Sequence, residues 1–379
     1  FVQIDDNNID AVIFSKEDLT LNGTGSLTIT SAYGHGIVSK DDLVVTGGSY
    51  TMTCARHGLS GKDSVRILDG TFDLTTTKDG IHASNDDDET LGYIYIAGGD
   101  FTICSQDDGM HADSALYIED GTIDITESYE GLEGQTITIL DGTISIVSSD
   151  DGINASSGSS ASSGNEPQKP DGNRDTDTPP EKREFPDGQQ PSDMTPPEDG
   201  QMPSDMTPPN DGQQPSDMTP PGGFGGNGGF DMDADESCSL TISGGDISID
   251  AGGDGIDSNG YFYMTGGNVF VAGPESNGDS ALDYGISASI SGGTFLSTGY
   301  SGMAQSFSDD SEQCSYMIKL DTMVEADSSI LTLTGAEGVV LLSHTTNKSY
   351  NCVIVSCPEL TSGATYTLTT GSISQEITP

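Results

Sequence analysis

Apolar residues in this chain come as pairs split by one polar position, and the pairs return about every 22 residues. A first set stands singly after glycines: Ile37, Leu59, Ile81, Met110, Leu132, Ile153 and Ile256 follow Gly36, Gly58, Gly80, Gly109, Gly131, Gly152 and Gly255. A second set is Val65 with Ile67, Ile94 with Ile96, Leu116 with Ile118, Ile137 with Ile139, and Leu240 with Ile242. The third set follows a Gly-Gly or Asp-Gly turn: Phe72 with Leu74, Phe101 with Ile103, Ile123 with Ile125, Ile144 with Ile146, and Ile247 with Ile249. Alternation at period two gives strands with one buried face. Three such strands at a fixed repeat predict a stacked coil. The expected fold is all-β, a right-handed parallel β-helix with three strand rows.

The pattern also sets the organisation. Coils run over residues 1–164 and resume over 237–312. Between them, residues 165–236 are rich in Pro, Gly and Asp and carry a 12-residue repeat anchored at Gly188, Gly200 and Gly212. That composition buries too little apolar surface to fold alone and reads as a tether or docking arm inserted between two strands. From 313 to 379, short alternating runs such as Thr365-Tyr366-Thr367-Leu368 predict a small β module. It would cover the open edge of the last coil.

Composition changes this picture in three respects. A net charge of −49 excludes nucleic acid as a partner and invites cations. Six cysteines show neither CxxC nor Cys/His metal spacing. No stretch is apolar enough to span a membrane. Phe1 in place of Met reads as a mature terminus after removal of a leader, which places the chain outside the cell or on its surface.

Aligning coils on the anchor glycine stacks chemistry into files. Before the glycine come His35, His57, Asp79, Asp108, Glu130, Asp151 and Asp254. One step earlier come Lys78, Asp107, Asp150 and Asp279; two residues after the glycine come His82, His111, Glu133, Asn154, Asp257 and Asp283. Neighbours in a file are about 4.8 Å apart, where unscreened carboxylates repel by several kcal/mol, roughly 3–4 each at an effective dielectric near 20. Oxygen donors in this arrangement suit Ca²⁺. One long coil adds Asn85-Asp86-Asp87-Asp88-Glu89 beside Asp79 and Asp108, so Asp86, Asp88 and Asp113 join the candidate metal ligands. The competing explanation of any single Asp-Gly is an ordinary turn. Stacked imidazoles bonding one another are expected of His82 and His111 in preference to a transition-metal site.

Lys16, Lys40 and Lys62 form another file, each followed by an acid, and mutual neutralisation competes with a strip that reads uronate carboxylates. The lysines lie about three coils, roughly 15 Å, from the densest acids, which argues against a base beside calcium and so against lyase chemistry. With no Trp in the chain, Tyr93, Tyr95 and Tyr117 are the candidate aromatic contacts for sugar.

The strings Ser39-Lys40-Asp41-Asp42-Leu43, Gly61-Lys62-Asp63-Ser64-Val65, Glu127-Ser128-Tyr129-Glu130-Gly131-Leu132-Glu133-Gly134, Ser149-Asp150-Asp151-Gly152-Ile153-Asn154-Ala155, Ala281-Leu282-Asp283-Tyr284 and Gly302-Met303-Ala304-Gln305 resemble those of secreted clostridial carbohydrate-binding β-helix proteins. The Ser362–Leu368 close does so too. The resemblance implies a fold similar to that of calcium-dependent polysaccharide lyases, bound Ca²⁺, and recognition of plant cell-wall polysaccharide, pectic or cellulosic. The short stretch before the first coil and the Met-Thr-Pro-Pro repeats depart from the family. Three functions follow: an extracellular calcium-dependent carbohydrate binder acting as adhesin or scaffold, a homo-polymer growing through open solenoid ends, and a calcium-dependent polysaccharide lyase. Catalysis is the least favoured.

Overall fold

Nine turns of chain stack in register in the computed structural model, which describes residues 9–157, 234–326 and 330–379. The first strand row comprises Ala11–Ser15, His35–Ser39, Leu59–Gly61, Ile81–Ala83, the starts of Met110–Ile118 and Leu132–Ile139, Ile153–Ala155 and Ile256–Ser258. The second holds Leu19–Leu21, Asp42–Val45, Ser64–Ile67, Tyr93–Ile96, the ends of the same two long strands, Ser239–Ile242, Tyr261–Met264 and Ser287–Ile290. The third runs from Ser26–Ser31 through Ser49–Cys54, Thr71–Thr76, Asp100–Ser105, Thr122–Glu127, Thr143–Ser148, Asp246–Ala251 and Asn268–Ala272 to Thr294–Gly299. Pairing within each row is parallel, as in Ile81 with Leu59 and Met110. The parallel β-helix expected from the repeat is the fold.

The apolar files become internal columns. Ile37, Leu59, Ile81, Met110, Leu132, Ile153 and Ile256 are all fully buried, each such side chain contributing about 1.5–3 kcal/mol. Tyr50, Phe72 and Phe101 stack in the interior with centroids 5.1 and 4.8 Å apart. The expected insert begins after the first-row strand Ile153–Ala155 and ends before Ser239–Ile242; residues 158–233 lie outside the described residues.

The anchor glycines are needed because the bend carries the chain against the next coil. A Cβ on Gly131 would sit 2.3 Å from the Gly152 carbonyl oxygen and 2.4 Å from Ile146 Cγ2. Gly131→Ala is therefore expected to cost about 1–3 kcal/mol by overpacking, read as a lower urea midpoint at unchanged m-value.

At the far end the pairing changes from parallel to antiparallel. Tyr350–Ser356 pairs antiparallel with the last third-row strand, and Ser315–Val324 pairs antiparallel with it in turn. A separate antiparallel sheet orders Val340–His344, Leu331–Thr334, Tyr366–Thr370 and Ile373–Ile377. Leu331, Leu333, Tyr350 and Leu368 fill a second core there. No helix among the described residues is long and apolar enough to cross a membrane.

Candidate functional site

At the bend between the third and first rows, the carboxylate of one coil meets a backbone N–H of the next in four places. Asp79 Oδ1 accepts from Asp108 N at 3.1 Å, Asp108 Oδ1 from Glu130 N at 3.2 Å, and Asp151 Oδ1 from Asp254 N at 2.7 Å. Asp254 Oδ1 likewise accepts from Ser280 N. Each of these carboxylates spends one oxygen on the next coil, and Asp79 and Asp108 turn the other toward the histidine two residues after their own glycine. That geometry explains the buried acids Asp79 and Asp108, 3% and 2% exposed, while Glu130, 6% exposed, accepts from the Asn154 amide.

What the second oxygen meets differs along the helix. In coils three to five it meets imidazoles. Asp79 Oδ2 lies 2.7 Å from His82 Nδ1 and 3.2 Å from His57 Nδ1. His111 Nδ1 is 2.5 Å from Glu133 Oε2 and 3.3 Å from Asp108 Oδ2, while its Nε2 is 3.3 Å from Asp113 Oδ1. The four rings form one column, His35, His57, His82 and His111, with centroids 4.9, 4.1 and 5.2 Å apart. The stacking expected of His82 and His111 is present, but their polar contacts run to carboxylates, because the acids flank each ring within a coil.

Titration follows from these contacts. Burial pushes the His57 imidazole down to about 3, with the neighbouring His82 ring adding to the effect. Burial pushes the Asp79 carboxyl up, yet the two imidazoles together outweigh it and hold the group well below the usual carboxylate range. His111 is opposed by burial and carried well above the usual imidazole value by Glu133, Asp108 and Asp113. Three carboxylates thus surround one half-buried ring and favour its protonated form.

Coils six to nine carry no histidine in these files: their members are Glu130, Glu133, Asp151, Asn154, Asp254, Asp257, Ser280 and Asp283. Oxygens of Asp151, Asp254 and Asp257 all lie within 4.8 Å of one another, as do those of Asp108, Glu130 and Glu133. Burial, reinforced by the charge of Asp257, raises Asp254 to about 8 and Asp151 well above the usual carboxylate range. Asn154 Nδ2 donates to Glu130 Oε2 at 3.2 Å, while its buried Oδ1 has no hydrogen-bond partner. Asp283 Oδ1 accepts from Gln305, a polar side chain that continues the file into the last turn.

The remaining predicted residues scatter around this seam. Asp107 is paired with Lys78 at 2.9 Å, and Asp150 Oδ1 lies over Gly253. The long loop of coil four folds beside the first row: Lys62 binds Asp87 at 2.5 Å, and Asp88 Oδ1 accepts from Thr90. Lys16 and Lys40 are exposed at the same corner, in the two preceding coils. Between this loop and the first row opens a cavity of 360 Å³ lined by Asp86, Glu89, His111, Asp113, Glu133 and Gln135. Ser157, also on its wall, donates its hydroxyl to Asp235 Oδ2 at 2.7 Å. Tyr95 and Tyr117 stack at 5.6 Å on the outward second row, with Tyr93 two residues before on the same face.

Sequence reasoning missed the cavity and the Asn154 oxygen. Asn154 stood in the right file, but only the three-dimensional contacts show that one end of its amide is satisfied and the other is not.

With this geometry in place, the chain finds relatives. Residues 2–168 match the family model of carbohydrate-binding domain-containing proteins. A carbohydrate-binding domain-containing protein of Acetivibrio thermocellus is 43% identical over 121 residues, which is 32% of this chain and 42% of the relative. The match thus spans less than half of that relative's length. No solved structure matches the chain. The matched residues include the histidine column, the coil-four loop, the cavity wall and the tyrosine pair, whereas Asp254, Asp257 and Asp283 lie beyond them.

Proposed function

We propose that this chain is an extracellular carbohydrate-binding β-helix that holds Ca²⁺ at Asp151, Asp254 and Asp257 and uses it to grip an acidic plant polysaccharide of the pectic class. One observation carries the reading: in files that hold no histidine, the carboxylates of Asp151, Asp254 and Asp257 converge within 4.8 Å of one another, and the Asn154 oxygen in the same file as Asp257 is buried with no hydrogen-bond partner. An all-oxygen set of carboxylates plus an amide carbonyl is the donor chemistry Ca²⁺ takes, and its flexible geometry tolerates ligands drawn from successive coils. The similarity to carbohydrate-binding domain-containing proteins supports the glycan half of the proposal. The cavity beside the coil-four loop offers polar partners to a sugar chain, and the Tyr95–Tyr117 pair offers an aromatic face.

Isothermal titration with polygalacturonate, in Ca²⁺ and then in EDTA, tests this. Binding is expected with Ca²⁺ and a loss of at least tenfold in affinity without it, about 1.4 kcal/mol. Equal affinity in both buffers would overturn the bridging role of the cation, and no binding to any acidic or neutral cell-wall glycan would overturn the reading as a whole.

A further inference from the structure

The antiparallel pair that closes the solenoid places Ser315 opposite Ser356, Tyr316 opposite Val355 and Met317 opposite Ile354. Carrying that register one residue outward sets Cys314 opposite Cys357. The two segments remain in contact at this step, because Ser356 Oγ donates to the Cys314 carbonyl at 2.8 Å. Both side chains address the same apolar cluster: Cys357 is buried within it and Cys314 packs against it. Directly opposed residues on antiparallel strands have Cα atoms about 4.5 or 5.5 Å apart, and either spacing falls in the roughly 4.4–6.8 Å range that a disulfide spans.

The other cysteines have no such partner across their strands. Cys54 lies opposite Ser31 and Thr76, Cys104 opposite Thr75 and Glu127, and Cys352 opposite Gly299 and Lys319. Cys238 immediately precedes a second-row strand whose parallel neighbours carry no cysteine. All six are thiols in the structure.

We infer that Cys314 and Cys357 are a disulfide site that bolts the antiparallel pair together at the end of the solenoid. The chemistry is exchange with a small disulfide such as oxidised glutathione. One cysteine thiolate attacks the donor disulfide and releases one donor thiol; the second protein thiolate then displaces the other. In sum, two protein thiols lose two protons and two electrons, and one donor disulfide becomes two thiols. Burial raises both thiols, so the reaction runs faster at mildly alkaline pH, where more thiolate is present. The bond closes a loop that contains Leu331–Thr334 and Val340–His344, half of the terminal sheet, and so restricts the unfolded chain. It would persist in an oxidising compartment and be absent in a reducing one.

The experiment treats the full chain with oxidised glutathione at mildly alkaline pH, alkylates it in denaturant, and maps peptides by mass spectrometry without reduction. The expected result is four alkylated thiols in place of six and one crosslinked peptide pair containing Cys314 and Cys357. Reduction should then lower the unfolding temperature by several degrees. Cys314→Ser should abolish the crosslink and that shift, whereas Cys352→Ser should keep both. Six alkylated thiols, a glutathione adduct left on Cys314, or a crosslink between other cysteines would overturn the inference. Because thiols are counted on the denatured chain, a variant that folds poorly still gives a reading.

Discussion

Asp254→Asn is expected to raise the unfolding temperature of the cation-free protein and to remove most of the stabilisation that millimolar Ca²⁺ gives the unaltered chain. In the folded protein Asp254 releases its proton only near pH 8, because it is buried and faces Asp257, against an ordinary value of 3.8. A folded-state value above the unfolded one means that the folded chain holds the extra proton between those limits. Stability from this group is therefore complete below about pH 4 and is lost as the pH rises towards 8. The difference corresponds to at most about 6 kcal/mol above pH 8, and solvent around the partly exposed carboxylates reduces it to a few. Removing the charge removes the loss. A bound cation does so too, adding about 2.7 kcal/mol at a hundredfold excess over its dissociation constant. Differential scanning fluorimetry at pH 5 and pH 8, in EDTA and in Ca²⁺, should show a calcium shift that grows with pH. A shift of equal size in Asp254→Asn would place the ion elsewhere.

Asp79→Ala is expected to be a damaging change, at about 3–5 kcal/mol, because it strips a buried carboxylate from two half-buried imidazoles and from Asp108 N. Its pH signature runs opposite to that of Asp254. Asp79 has a depressed value in the fold, so its contribution is present above about pH 4 and lost as the pH falls further. His57, held down to about 3 by burial, acts with the same sign: below its ordinary value of 6.5 the unfolded chain gains a proton that the fold refuses. Acidification from about pH 6.5 to 3.5 should therefore cost roughly 4 kcal/mol through His57. His57→Gln should flatten this limb in urea titrations across that range while leaving the alkaline limb unchanged. An acid limb that persists in His57→Gln would refute the assignment.

These two effects share one architecture. The same corner of the solenoid sets its carboxylates against imidazoles in coils three to five and carries no histidine in coils seven to nine. A polyanion approaching the seam would therefore meet carboxylates beside imidazoles at one end and the clustered carboxylates of Asp151, Asp254 and Asp257 at the other.

The 22-residue period was enough to predict the three rows, the interior columns and the files in which His82, His111, Glu133, Asn154 and Asp257 succeed one another. In a parallel solenoid, residues one period apart are hydrogen-bonded neighbours, so a sequence offset is itself a contact map. The offset is silent on contacts between files. Which carboxylate oxygen caps the next coil, which faces an imidazole, and that Asn154 Oδ1 faces no partner all depend on how the bend turns residues before and after each glycine toward one another. Nor does a repeat describe the chain where it stops repeating. The folding of Asn85–Glu89 beside Lys62, and the antiparallel register that pairs Ser315 with Ser356 next to Cys314 and Cys357, come from unique tertiary packing. Periodicity thus determined the ladder, and only the closed three-dimensional corner decided its pairing and charge.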